Sequence, residues 1–404
     1  MNQNDFSAFK QRMENNEIKI VFQMVVGRGG SLLLHSLLDN HPSILAYPGI
    51  LNFHTDIWPA ISSDPTNAEA VLAKKMGEWI AEMSPYNVGK NLGETFSDVI
   101  EIDCRKIAHE TGKLLGSNFN DKKNLFIALQ FSIADYFGIS LNDKRVVYCH
   151  EHSSTYDVSL VQSILMAWPQ ALFLAILRDP RSNYIALLNW EKKRTELNIH
   201  TQERHRYIQN MYADMCYFWY TRLLEVASLH PDNFLLIRLE DLQKDKTQML
   251  HKLCHELKIE FNDSLLQTTF LGKTWHGDNF SPKGSGIRNS ADPKKWKTEL
   301  SFLRKSIFEI VLKREIEILE YPFLYRKNFF GKLFTWLFFP IWFYKDWEHI
   351  FKKGYYTFMA SEGFGKIRAF LFQVKTAILA DRRLFHFIRK GPEFKSSKKL
   401  KFLS

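Results

Sequence analysis

Residues 23–42 read QMVVGRGGSLLLHSLLDNHP, an apolar run that breaks at Gly27-Arg28-Gly29-Gly30-Ser31 and resumes as a leucine-rich helical pattern. The glycines leave the turn bare of Cβ atoms, so several backbone N–H groups can converge on one anion. Ser31 is placed to cap the following helix, whose positive dipole end faces the same point. Arg28 adds a side-chain cation. A Walker A loop needs Lys directly after its last Gly; Ser31 stands there instead, which disfavours ATP hydrolysis. Taken alone, the turn reads equally well as a connection that binds nothing.

Outward from this stretch, short runs of Val, Ile, Leu and Phe recur at 18–26, 43–47, 145–149, 171–178 and 233–239, separated by helical patterns. Strands without polar alternation, spaced by helices, predict a parallel sheet buried on both faces. The expected class is therefore α/β, a three-layer sandwich of the P-loop-like kind. Residues 66–140 read as a helical insertion between the second and third strands. Within it, the apolar stretch 125–139 is too short and too polar to span a membrane and is expected as a core helix. Residues 1–17 form a polar lead and 18–325 the main domain.

Two later strands end on charge. ALFLAILRDPRSNYIALLNW (171–190) carries Arg178 at its strand end, where open α/β sheets bind ligands, and Asp179-Pro180 starts a helix. An arginine closing a buried apolar strand is costly unless paired, which favours a ligand contact for Arg178. NFLLIRLEDL (233–242) ends similarly, with Arg238, Glu240 and Asp241 at its tip.

The net charge is +10, but residues 326–404 hold 17 Lys and Arg against 5 Asp and Glu, a net +12 that leaves the first 325 residues at −2. A nucleic-acid binder more often carries its basic charge on the folded domain, so none is expected as a partner. The four cysteines lie far apart, without a Cys-x-x-Cys pair or metal-ligand spacing, so no disulfide framework and no metal site is expected. With no secretory pattern at the N-terminus, a cytoplasmic location is expected.

Together these motifs resemble the sulfotransferases that use 3′-phosphoadenosine 5′-phosphosulfate (PAPS). VVGRGGSLLLHSLLDNHP is similar to that family's 5′-phosphosulfate loop, LRDPRSNYIALLNW to its 3′-phosphate segment, and LLIRLEDL to its strand ending in Glu-Asp-Leu. FSPKGSGIRNSADPKKWKTELS (280–301) resembles the basic, Gly-rich loop that closes over the nucleotide. The resemblance implies that Arg28 and the backbone of Gly29, Gly30, Ser31 and Leu32 hold the phosphosulfate and that Arg178 holds the 3′-phosphate. The family's Ser eight residues after that arginine is absent, since position 186 is Ala; Ser182, on the first turn of the same helix, is the candidate substitute. Lys283, Gly284 and Arg288 are the implied lid residues, and Trp296 a packing anchor.

Sulfuryl transfer needs an acceptor placed in line, a base for its proton, and positive charge for the leaving oxygen. Arg28 suits the last task. At the end of the third strand, VVYCHEHSSTYD (146–157) brings His150, Glu151 and His152 to the pocket edge. His152 is the first choice of base and His150 the second, since imidazole titrates near neutral pH. His54 and Asp56 stand in reserve.

The extension 326–404 combines an aromatic stretch at 329–347 with a helical stripe of Phe364, Ile367, Phe370, Leu371, Val374 and Ile378 flanked by basic residues. That pattern suits an anionic membrane surface. A pair of helices packed on the enzyme or a second subunit is an equal alternative. Membrane attachment would make a lipid or glycan the favoured acceptor. A P-loop small-molecule kinase and a non-catalytic scaffold are the competing functions.

Overall fold

The computed structural model describes residues 3–47, 51–83, 86–151, 157–196, 205–278, 295–324 and 400–403. Lys283, Gly284, Arg288, His152 and the extension before residue 400 lie outside them. The chain divides into two compact units. One comprises Met1–Leu177, Val226–Asn289 and Lys398–Ser404; the other comprises Arg178–Glu225 and Ser290–Ser397.

In the first unit the chain runs α1 (Gln3–Glu14), β1 (Lys19–Met24), α2 (Ser31–Leu38), β2 (Ile44–Leu45), α3 (Trp58–Ser63), α4 (Ala68–Met83), α5 (Cys104–Leu114), α6 (Lys122–Tyr136), β3 (Val146–Glu151), α7 (Val158–Ala167) and β4 (Leu172–Leu177). The second unit begins with α8 (Pro180–Glu196) and takes in most of α9 (His205–Leu229). The chain then returns to the first unit with β5 (Phe234–Arg238), α10 (Leu239–Lys244), α11 (Lys246–Leu257), β6 (Thr269–Phe270) and β7 (Lys273–Thr274). It goes back to the second with α12 (Trp296–Glu299), α13 (Phe302–Val311) and α14 (Lys313–Ile318), and its last residues belong to the first.

The sheet is wholly parallel, in the order β2-β3-β1-β4-β5. Its strands are buried almost end to end, as their unbroken apolar runs require. One face packs under α2 and α11 through Val21, Leu34, Leu37, Tyr148, Ile237 and Leu250. The other carries a row of rings, Phe22 on Phe173 at 5.7 Å and Phe173 on Phe234 at 4.9 Å. Each such ring removed from water contributes roughly 1.5–3 kcal/mol.

The insertion between β2 and β3 is helical, and α6 is buried along nearly its whole length, as the apolar stretch predicts. Asp103, Asp121 and Asp157 cap α5, α6 and α7 by accepting from backbone N–H groups of the first turn. The N-terminal lead is the amphipathic α1, whose Phe6 and Phe9 rest on Phe131. At the far edge of the sheet, Lys401–Leu403 lie parallel to β5. Leu236 N–H donates to Lys401 O at 3.1 Å, and Leu403 N–H to Leu236 O at 2.9 Å. No helix of the described residues is long and apolar enough to cross a membrane.

Candidate functional site

The order of the sheet reverses at β1, with β3 on one side and β4 on the other, and the Gly-rich turn leaves β1 there. Ligands of open α/β sheets sit at such a switch point. Gly29 N–H donates to Val26 O at 2.8 Å, closing the turn. A Cβ on Gly29 would lie 2.8 Å from Val26 O and 3.0 Å from Ile176 O, so the backbone passes against the end of β4 where no other residue fits. Arg28 and Gly30 both take positive φ, 61° and 107°. Only glycine adopts such a φ without strain, so Arg28 stores some in its backbone.

One expectation needs correction here. Ser31 does not cap α2: it is the first helical residue, Gly30 occupies the cap position, and no side chain caps the helix. Gly30 reaches φ 107° because it has no Cβ, and this brings the helix start one residue earlier than a serine cap would. The first-turn N–H groups, those of Ser31 and Leu32 among them, thus have no capping side chain among the described residues, the arrangement an anion would complete.

The turn is held from below. Tyr148 of β3 donates its hydroxyl to Gln23 Oε1 of β1, and Gln23 Nε2 donates to Ser31 O at 2.8 Å. Arg28 Nη1 lies 2.6 Å from Asp278 Oδ2, an ion pair in which the carboxylate side chain is 6% exposed.

At the end of β3, His150 and Glu151 point to opposite faces. His150 is buried, and its Nδ1 lies 3.2 Å from Nδ1 of His35 in α2, so one ring donates and the other accepts. Burial pushes the His35 imidazole down to about 4, keeping it neutral at physiological pH. Glu151 is buried on the other face and accepts from Nδ1 of His54, which a π-helical turn, Phe53–Ile57, carries there among Phe22, Phe53 and Phe126. Asp56 instead pairs with Lys75 at 2.8 Å. His152 follows Glu151 outside the described residues. Arg238 at the tip of β5 pairs with Asp241 at 2.5 Å.

In the second unit Arg178 is half-buried, and its Nε has no hydrogen-bond partner among the described residues. Tyr220 donates to Arg178 O at 2.7 Å. Ser182 is buried, and so is Asn183, whose side-chain amide also has no partner among the described residues. Arg181 is fully buried: it forks onto Asp179 at 2.7 and 2.9 Å, reaches Glu309 at 2.7 Å, and stacks on Trp296 at 3.7 Å. Trp296 is thus a packing anchor, its ring covering a guanidinium.

Sequence reasoning missed Asp278, Asn183 and the pairing of His54 with Glu151. A lone Asp beyond the β6–β7 hairpin and an Asn one turn into a helix carry no local signal. His54 and Glu151 meet only once β2 and β3 are side by side.

Among solved structures, the chain is similar to the sulfotransferase domain from the curacin biosynthetic pathway, at 18% identity over 76% of this chain and 99% of that one, with a TM-score of 0.48. It is also similar to the sulfotransferase domain from the Synechococcus PCC 7002 olefin synthase, at 16% identity over 70% and 88%, with a TM-score of 0.45. No curated protein is similar to the chain in sequence at a significant level. A model of the sulfotransferase family matches residues 21–263, more than half of the sequence and the span from within β1 to beyond β5, and the chain belongs to that family.

Proposed function

We propose that the chain transfers a sulfuryl group from PAPS to a hydroxyl or amine of an acceptor. The observation that carries this reading is the start of α2, uncapped by any side chain, entered through Gly29 and Gly30 and flanked by Arg28. PAPS supplies an activated sulfuryl group, and the S–O bond to the bisphosphate breaks as the bond to the acceptor forms. The N–H groups of Ser31 and Leu32 and the Arg28 guanidinium hold the charge growing on the leaving oxygen. Arg178, whose Nε has no partner among the described residues, is assigned the 3′-phosphate, and Ser182 and Asn183 on the following turn are assigned to the same nucleotide. Lys283, Gly284 and Arg288 complete this assignment from the lid segment.

For the base we assign His152, the residue immediately after β3. His150 is sealed against His35, which suits it to holding the strand end rather than meeting an acceptor. The cations of the site are side chains, so the reading calls for no metal. A lipid or glycan acceptor, and a peripheral place on an anionic membrane on the cytoplasmic side, rest on the aromatic and basic pattern of 326–399.

Calorimetric titration with adenosine 3′,5′-bisphosphate, beside ATP with magnesium, on wild type and Arg28→Ala tests the donor. Tight binding of the bisphosphate alone, lost in the variant, supports the reading, and labelled PAPS with lipid and glycan acceptors then tests transfer. Preference for ATP, or no binding of either, refutes it.

A further inference from the structure

The anion site already contains an anion. Asp278 reaches Arg28 at 2.6 Å across 250 residues of sequence, and it does so at the end of a strap built with unusual care. The strap starts at the β6–β7 hairpin, which is fixed to the far end of α2: Thr269 Oγ1 and Gly272 N–H both donate to Asp39 Oδ2 at 3.0 Å. From Thr274 it runs beside the segment 86–98 of the helical insertion. Gly93 N–H donates to Thr274 O at 2.9 Å, and Trp275 Nε1 to Tyr86 O at 3.2 Å. His276 Nε2 lies 2.7 Å from Gly93 O, and Asn87 Nδ2 donates to Gly277 O at 3.1 Å. Four hydrogen bonds thus tie the strap to the insertion, and the next residue is Asp278.

An arriving sulfate or phosphate group needs Arg28 and meets a carboxylate already on it. A second anion on the same guanidinium would stand close to the Asp278 carboxylate, whose side chain is nearly sealed from water, and like charges that near repel most where solvent is excluded. An Arg28 merely needing orientation could have been given a neutral acceptor at far smaller electrostatic cost.

We infer that Asp278 is a resident counter-ion that the donor displaces: without ligand its carboxylate holds Arg28, and a phosphate- or sulfate-class anion at the Gly-rich turn takes its place and releases the strap. Resting on the donor-site reading above, this couples occupancy of the turn to the insertion segment 86–98. No covalent step is involved; one ion pair is exchanged for another.

The test is calorimetric titration of the full chain with adenosine 3′,5′-bisphosphate and with pyrophosphate, on wild type, Asp278→Asn, Arg28→Ala and the double variant. Asp278→Asn is expected to bind both anions about tenfold tighter, the factor that 1.4 kcal/mol gives and the low end of what a charged hydrogen bond contributes. In the Arg28→Ala background the same change is expected to have no effect. Hydrogen exchange gives a second readout in the unaltered protein: amides of 273–278 are expected to exchange faster with saturating bisphosphate. Unchanged or weaker binding by Asp278→Asn, or slower exchange in the strap, overturns the inference while leaving the donor site standing. Absence of bisphosphate binding in all four proteins overturns the donor-site reading itself.

Discussion

Replacing Gly29 by Ala asks the turn to hold one methyl group. That carbon would sit 2.8 Å from Val26 O and 3.0 Å from Ile176 O, both backbone atoms. The Ile176 carbonyl belongs to β4, which is paired with β1 on one side and β5 on the other, so it cannot retreat alone. The Val26 carbonyl accepts the Gly29 N–H that closes the turn. Overpacking of this kind costs about 1–3 kcal/mol, and loss of the turn bond adds about 1. The stiffer unfolded chain returns about 0.4–1 kcal/mol. The net is a destabilisation of about 2 kcal/mol, or a fall of about 4–8 °C in melting temperature at the few degrees per kcal/mol expected for a domain of this size. Gly77 is the control. It lies exposed within α4, and a Cβ there meets nothing within 4 Å. Gly77→Ala is expected to stabilise by about 0.5–1 kcal/mol, since Ala orders into a helix at lower entropic cost. Thermal unfolding followed by circular dichroism, with bisphosphate titration beside it, reads both variants. If Gly29→Ala melts with wild type and keeps full affinity, or if both variants shift in the same direction, the close approach of the turn to β4 is wrong.

Ser31→Ala is expected to change stability by less than about 0.5 kcal/mol in urea unfolding, whereas a capping serine would cost about 1; a loss of that size would restore Ser31 as the cap. Arg181→Met leaves Asp179 and Glu309 buried without their cation and is expected to cost about 3–5 kcal/mol in the same assay, with Arg181→Lys falling between because it keeps the charge and loses the fork. The pH dependence follows from His35, whose folded value is depressed to about 4 by burial. The unfolded imidazole takes a proton near pH 6.5 while the folded one stays neutral, so stability is full above 6.5 and is lost as pH falls from 6.5 toward 4. The slope is about 1.4 kcal/mol per pH unit. Urea unfolding of wild type at pH 7.5 and pH 5 should therefore differ by about 2 kcal/mol more than that of His35→Gln; equal differences would show that His35 is not held neutral.

The fold was legible in the residues because a parallel sheet buried on both faces demands unbroken apolar strands, and 18–26, 145–149, 171–178 and 233–239 have no polar alternation to hide them. The Gly-rich turn was legible for a related reason: three glycines between a strand and a helix leave a mark that depends only on neighbours in the chain. The start of α2 was misplaced by one residue because it turned on the sign of φ at Gly30, which the type of residue permits but does not dictate. Asp278 on Arg28, His54 on Glu151 and Lys401–Leu403 beside β5 had no trace in spacing, since each joins segments far apart in the sequence. The amino-acid sequence alone determined which segments are strands and where the Gly-rich turn and the strand-end arginines fall along the chain. Tertiary structure decided which charges stand opposite one another. Periodicity and glycine placement act over a few residues, but the partner of a buried charge is chosen by how the whole chain closes around it.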